Sequence, residues 1–118
     1  QDVFTKEEVK IWNDEPKRDF IFTEDAADAV LKLIDSSFQG VINLGSGKMS
    51  SIKDMCSIIS NLSKKKIITE NKKVSGPMEF VTDISKIKKI IDWEPKYDIR
   101  SGLKKTYDIM KAYNQNNL

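Results

Sequence analysis

The residues best equipped for chemistry lie in Lys17-Arg18-Asp19-Phe20-Ile21-Phe22-Thr23-Glu24-Asp25. Arginine offers a planar, two-point grip on phosphate oxygens, and its charge does not titrate away. The run Asp19–Phe22 reads as a short apolar strand, so Arg18 would stand at the mouth of a stiff support. Thr23 then reads as a helix N-cap, with Glu24 and Asp25 at the positive end of the helix dipole. The plainer reading of the same residues is a strand-to-helix corner carrying a surface arginine.

Three further patterns imitate nucleotide chemistry. Gly45-Ser46-Gly47-Lys48 suggests a phosphate-cradling loop, but the P-loop needs a glycine where Ile42 stands and a hydroxyl residue in place of Met49. Gly45-x-Gly47-x-x-Ser50, with Glu70 about 20 residues on, comes near the dinucleotide fingerprint. Its third glycine is a serine and no run of βα units follows, which favours an ordinary Gly-rich turn. Tyr107 and Lys111 have a spacing at which a lysine can tune a tyrosine for acid–base work. Tyr107 also falls on the apolar stripe of a terminal helix, which favours a core tyrosine with its hydroxyl at the rim.

The elements that must carry these residues alternate between strand and helix, which sets the class as α/β, or an α+β-like fragment: a small mixed sheet with about four helices. Val9, Ile11 and Trp12 mark a first strand, closed by the turn formers Asn13-Asp14-Glu15-Pro16. A helix runs from Glu24 to about Ser36, with Ala26, Ala27, Val30, Leu33 and Ile34 as its buried stripe. Val41–Leu44 reads as a strand. Ser51 caps the next helix, with Asp54 three residues on and Ile52, Met55, Cys56, Ile59 and Leu62 facing inward. Lys66–Thr69 is a strand, Met78–Thr82 is extended, and Asp83 caps a short helix to about Ile91. A last helix begins near Ile99, lined by Ile99, Leu103, Tyr107, Met110 and Tyr113. The polar tail Asn114–Leu118 is expected to fray.

Length and composition bound the partners. The 118 residues fit one domain, 1–118. Apolar content of 39% and charged content of 32% describe a soluble globular protein. The net charge of +2 is the difference of 20 basic and 18 acidic residues, interleaved, which argues against a nucleic-acid partner. The single cysteine, Cys56, allows no intrachain disulfide, and its apolar helical position suits an inert thiol in a reducing cytoplasm. No apolar run approaches a membrane span, and there is no histidine for acid–base or metal work. A first residue of Gln1, not methionine, suggests a piece of a longer chain or a processed one.

Taken in order, the motifs resemble the C-terminal portion of the NAD-dependent sugar-nucleotide epimerases and dehydratases, the extended short-chain dehydrogenases. Arg18-Asp19-Phe20-Ile21-Phe22-Thr23-Glu24-Asp25-Ala26-Ala27 is similar to the family's Arg-Asp-Phe-Ile-Tyr-Val-Asp-Asp-Val-Ala signature. Asn43-Leu44-Gly45-Ser46-Gly47 is similar to its Asn-Ile-Gly-Ser-Gly turn. Val9–Trp12, Asp83-Ile84-Ser85-Lys86, Trp93-Glu94-Pro95-Lys96 and Gly102-Leu103 follow its remaining pattern.

The resemblance implies that Arg18 binds the pyrophosphate of a nucleotide sugar, with Lys10, Ile11 and Trp12 bordering the base. Lys73 stands near the family's second phosphate-contacting arginine and supplies charge without the bidentate fork. NAD is implied for the full-length parent and none for this fragment, whose reactive half and N-terminal Rossmann domain would precede it. The resemblance further implies a fragment inactive on its own, with Val30, Leu33, Ile34 and Val41-Ile42 stripped of their cover and a homodimer or altered packing as the result. The alternative is a non-catalytic nucleotide- or protein-binding member of the same superfamily.

Overall fold

A computed structural model of the chain describes residues 2–116. In order they form α1 (Asp2–Thr5), β1 (Glu8–Ile11), β2 (Lys17–Asp19), α2 (Thr23–Ile34), β3 (Met49–Ser51), α3 (Ile52–Ser63), β4 (Lys66–Thr69), α4 (Ser85–Ile91) and α5 (Ile99–Asn116). The mixed α/β class stands. The sheet divides in two: β1 lies parallel to β4, with Glu8 opposite Lys66 and Ile11 opposite Thr69. β2 lies antiparallel to β3, with Lys17 opposite Ser51 and Asp19 opposite Met49. A lone parallel bridge between Lys17 and Glu79 lays the 78–82 segment along the other edge of β2.

The helices form where capping and periodicity agree. Ser51 Oγ accepts from the Asp54 amide at 2.9 Å and donates to the Asp54 carboxylate at 2.7 Å, satisfying an orphan N–H of α3. Lys64 ends that helix in the left-handed region. Asp98 performs the same service for α5, accepting from the Ser101 amide at 2.7 Å. Asp83 accepts from the Ser85 amide at 2.9 Å, although the cap position itself is Ile84. The core gathers Ala29, Ile84, Ile87 and Trp93, with Ile21, Leu33, Ile42, Leu44 and Ile91 packed around it.

Several expectations are corrected. β2 ends at Asp19 rather than Phe22, because its partner β3 begins opposite it at Met49. Phe22 is the N-cap position of α2, with no side-chain cap, and Thr23 is already helical. Phe22 packs instead on the Tyr97 ring, 4.6 Å between centroids. The 41–44 stretch forms no ladder but keeps a strand's alternation: Ile42 and Leu44 turn to the core while Val41 is 84% exposed.

On α2 the buried face is that of Asp25, Ala29 and Leu33, whereas Val30, Leu31 and Ile34 are exposed. On α3 the buried position is Ile58, with the expected inward residues half-covered. The short α1, which carries little apolar periodicity, sets Phe4 against Tyr107 at 5.1 Å, while Tyr113 is exposed. The tail stays helical to Asn116; the rest of it lies outside the described residues.

Candidate functional site

Parallel pairing continues past the ends of β1 and β4. The Ile11 carbonyl accepts from the Glu70 amide at 2.9 Å and the Trp12 carbonyl from the Lys72 amide at 2.8 Å. The Asn13 side-chain amide donates to the Lys72 carbonyl at 3.1 Å. These bonds hold Trp12 beside the loop over 71–77, and Trp12, Lys73, Val74 and Ser75 line an open cleft of about 430 Å³. The indole is 66% exposed, with the Lys72 ammonium 5.6 Å from its ring centre. Lys72 is in turn paired with Glu70 at 2.7 Å, an ion pair that holds the Glu70 carboxyl below its usual range, chiefly through the hydrogen bond. Lys73 and Lys10 make no ion pair among the described residues.

Arg18 stands at the other end of the same loop. Its Nη1 donates to the Lys17 carbonyl at 2.8 Å and to the Met78 carbonyl at 3.1 Å. Both Nη1 protons are thereby used. The Nε and Nη2 donors, the side-on fork suited to two oxygens, have no partner among the described residues, and no carboxylate pairs with the guanidinium. Arg18 is half-buried, which limits its rotamers, yet it does not line the Trp12 cleft. Of the five residues singled out from the sequence, Lys10, Ile11 and Trp12 share one strand end. Lys73 lines the cleft with Trp12, and the structure does not bring Arg18 into it: Arg18 touches only the far end of the intervening loop, at the Met78 carbonyl.

The glycine turn, by contrast, is already occupied by the protein. The Asp19 carboxylate accepts from the Ser46 amide at 2.7 Å, the Gly47 amide at 3.0 Å, the Thr82 amide at 3.1 Å and the Ser46 hydroxyl. Burial opposes the charge on Asp19, but the Ser46 hydroxyl and these three amides outweigh it, so the carboxyl lies below its usual range. A Cβ on Gly45 would stand 2.6 Å from both Asp19 Oδ2 and Thr82. The Ser46 and Gly47 amides that could cradle a phosphate are spent, and Asp19 and Thr82 fill the space in front of Gly45. The turn fits neither a P-loop nor a dinucleotide site.

The acids of α2 are also structural. Asp25, 2% exposed, accepts from the Lys96 and Tyr97 amides at 2.9 and 3.0 Å, tying α2 to the approach of α5. Glu24 is bound by Lys105 at 2.7 Å and by the Tyr97 hydroxyl at 3.1 Å. Cys56 is half-buried, and burial first, then the Asp14 charge, pushes its thiol up, as suits an inert side chain. Sequence reasoning passed over Asp19 and Asp25 as anchors. The available signal was a surplus of turn amides at Gly45–Gly47 that required an acceptor.

Comparison with known proteins places these features in context. No family model matches the chain. It is 34% identical over 113 residues to a UDP-glucuronate 4-epimerase of Thermodesulfobacterium geofontis, covering 92% of this chain and 35% of that protein. It is 32% identical over 107 residues to GDP-L-fucose synthase 1 of Arabidopsis thaliana, covering 86% of this chain and 32% of that one. Among solved structures, an epimerase of Methanothermobacter thermautotrophicus superposes with a TM-score of 0.87 at 22% identity, over 97% of this chain and 36% of that one. An ADP-L-glycero-D-manno-heptose-6-epimerase of Helicobacter pylori superposes with a TM-score of 0.83 at 26% identity, over 94% and 35%. The chain spans about a third of the length of the curated relatives it matches.

Proposed function

Because the chain belongs to the family of NAD-dependent sugar-nucleotide epimerases and dehydratases, the extended short-chain dehydrogenases, we propose that it is the substrate-binding portion of such an enzyme and grips the diphosphate of a nucleotide sugar. The relatives' names pair GDP, UDP and ADP with different sugars, so the diphosphate is what their substrates share. One observation carries the reading: Arg18 is anchored through Nη1 to two carbonyls, with its Nε–Nη2 fork left for a ligand. Trp12, with Lys10 and Ile11, borders the base, and Lys73 adds charge across the cleft. Fixing the diphosphate holds the sugar in one orientation, the entropic share of catalysis.

In the parent enzyme NAD supplies the hydride chemistry, held by an N-terminal Rossmann domain and not by the Gly45–Gly47 turn. This chain by itself binds substrate and turns nothing over. The exposed Val30, Leu31 and Ile34 of α2, and the exposed Val41 beyond it, suit that domain as their cover, and in its absence drive self-association. No helix among the described residues is long and apolar enough to cross a membrane, and a reducing cytoplasm suits the lone thiol.

Calorimetric titration with UDP and with GDP, wild type against Arg18→Ala, tests the reading. Losing a charge-assisted phosphate contact costs about 1.5–3 kcal/mol, or roughly ten- to a hundredfold in affinity. Equal affinity in the two proteins would refute it.

A further inference from the structure

We infer that Asp19 is a positioning residue for the Arg18 fork, acting through the 78–82 segment without touching ligand; this rests on the diphosphate reading of Arg18. Successive side chains leave a strand on opposite faces, so Arg18 and Asp19 project from β2 in opposite directions. On its own face Asp19 receives the Thr82 amide at 3.1 Å, together with the Ser46 and Gly47 amides of the glycine turn. Thr82 closes the segment that opens at Met78. That opening is registered on Lys17, whose amide donates to the Met78 carbonyl at 2.8 Å and whose carbonyl accepts from the Phe80 amide at 3.2 Å. The Met78 carbonyl is the same oxygen that takes Arg18 Nη1 at 3.1 Å.

The segment is therefore held at two ends, by Lys17 at one and by Asp19 at the other, and between them they set the oxygen that aims the guanidinium. The chemistry at Asp19 admits no neutral substitute. Oδ1 accepts from the Ser46 amide and Oδ2 from the Gly47 and Thr82 amides. An asparagine in either flip would turn its own NH2 against a backbone N–H. The repulsion releases either the turn or Thr82. With Thr82 loose, the Met78 carbonyl shifts and the fork loses its two-point alignment on phosphate.

The test is a double-mutant cycle read by calorimetry with UDP, and with uridine as the phosphate-free control. Asp19→Asn is expected to weaken UDP binding about three- to tenfold, the worth of one ordinary hydrogen bond, with uridine binding unchanged. In the Arg18→Ala background the same substitution is expected to change UDP binding by less than about twofold, since coupled residues are not additive. UDP binding by Asp19→Asn at wild-type strength overturns the inference. So does an equal loss in both backgrounds, which would mark a general effect on the fold. An Arg18→Ala protein that binds UDP as the wild type does would remove the diphosphate reading itself, a separate failure. If Asp19→Asn does not fold, Asp19→Glu, which keeps both acceptors on a longer arm, carries the same cycle with the same expected signs.

Discussion

Two glycine-bearing segments lie on either side of β2, and they differ in what their backbone is free to do. The turn Gly45-Ser46-Gly47 has the sequence of a phosphate cradle, yet its amides converge on Asp19, and a Cβ on Gly45 would strike Asp19 and Thr82 at 2.6 Å. The loop around Gly76 has no such cradle sequence, and only Lys73 answers to a phosphate-contacting position of the family. The loop nevertheless connects the Trp12 cleft to the carbonyl that orients Arg18, and a Cβ on Gly76 would meet nothing within 4 Å. Glycine in the first is required by a close approach of protein to protein, and in the second by a positive φ of 96° in open space. Backbone amides bind a ligand only when the fold has not already used them.

Substitutions at the two glycines give the widest separation. Gly45→Ala forces Asp19 and Thr82 apart and is expected to lose about 3 kcal/mol of stability, the upper part of the overpacking range, read by urea denaturation. Gly76→Ala is expected to lose about 1 kcal/mol, from backbone strain alone. Equal losses would erase the distinction.

Next in size is the pH dependence at Asp19. Its native pKa lies below the ordinary value, so the unfolded chain takes up the proton first as pH falls. Its contribution to stability is complete above the ordinary aspartate pKa. It declines as pH drops from there and is gone once pH has passed below the lowered native value. Melting curves from pH 7 to pH 3 should therefore show wild type above Asp19→Asn by about 2 kcal/mol at neutral pH, with the gap closing in acid. A gap independent of pH would contradict the charge-based role.

The smallest effect belongs to the loop. Lys73→Ala, at an exposed position, is expected to weaken UDP binding by about 0.5 kcal/mol, an effect that fades as salt rises, with stability unchanged. A large, salt-insensitive loss would mean that Lys73 makes a dehydrated contact and that the loop closes further than its free geometry suggests.

The sequence carried the local signals well. Ser51 with Asp54 marked the start of α3, and Lys66–Thr69 is β4 as expected, because capping and alternation are properties of neighbouring residues. The site followed unevenly. Trp12 and Lys73 meet across a cleft, yet they are far apart in the chain and only the β1–β4 register brings them together. In the sequence Asp19 is merely the start of a strand, since nothing in its neighbours reveals that its acceptors serve residues 46, 47 and 82. On α2, periodicity places Val30 and Ile34 in a buried stripe while the family resemblance expects them bare. They are exposed, as is Val41, whereas Leu33 and Ile42, expected to lose their cover too, pack on the core. Periodicity cannot say whether the facing surface belongs to the same piece of chain.

That bare side of α2 has a thermodynamic consequence. Apolar area left wet in the native form is area whose exposure adds nothing to the heat capacity or denaturant slope of unfolding, so both should be shallow for a chain of this length. Whatever settles on Val30, Leu31 and Ile34 then acts as a ligand of the native form alone, raising its melting temperature with the logarithm of the partner's concentration, even after the face is full. Folding and assembly become one linked equilibrium.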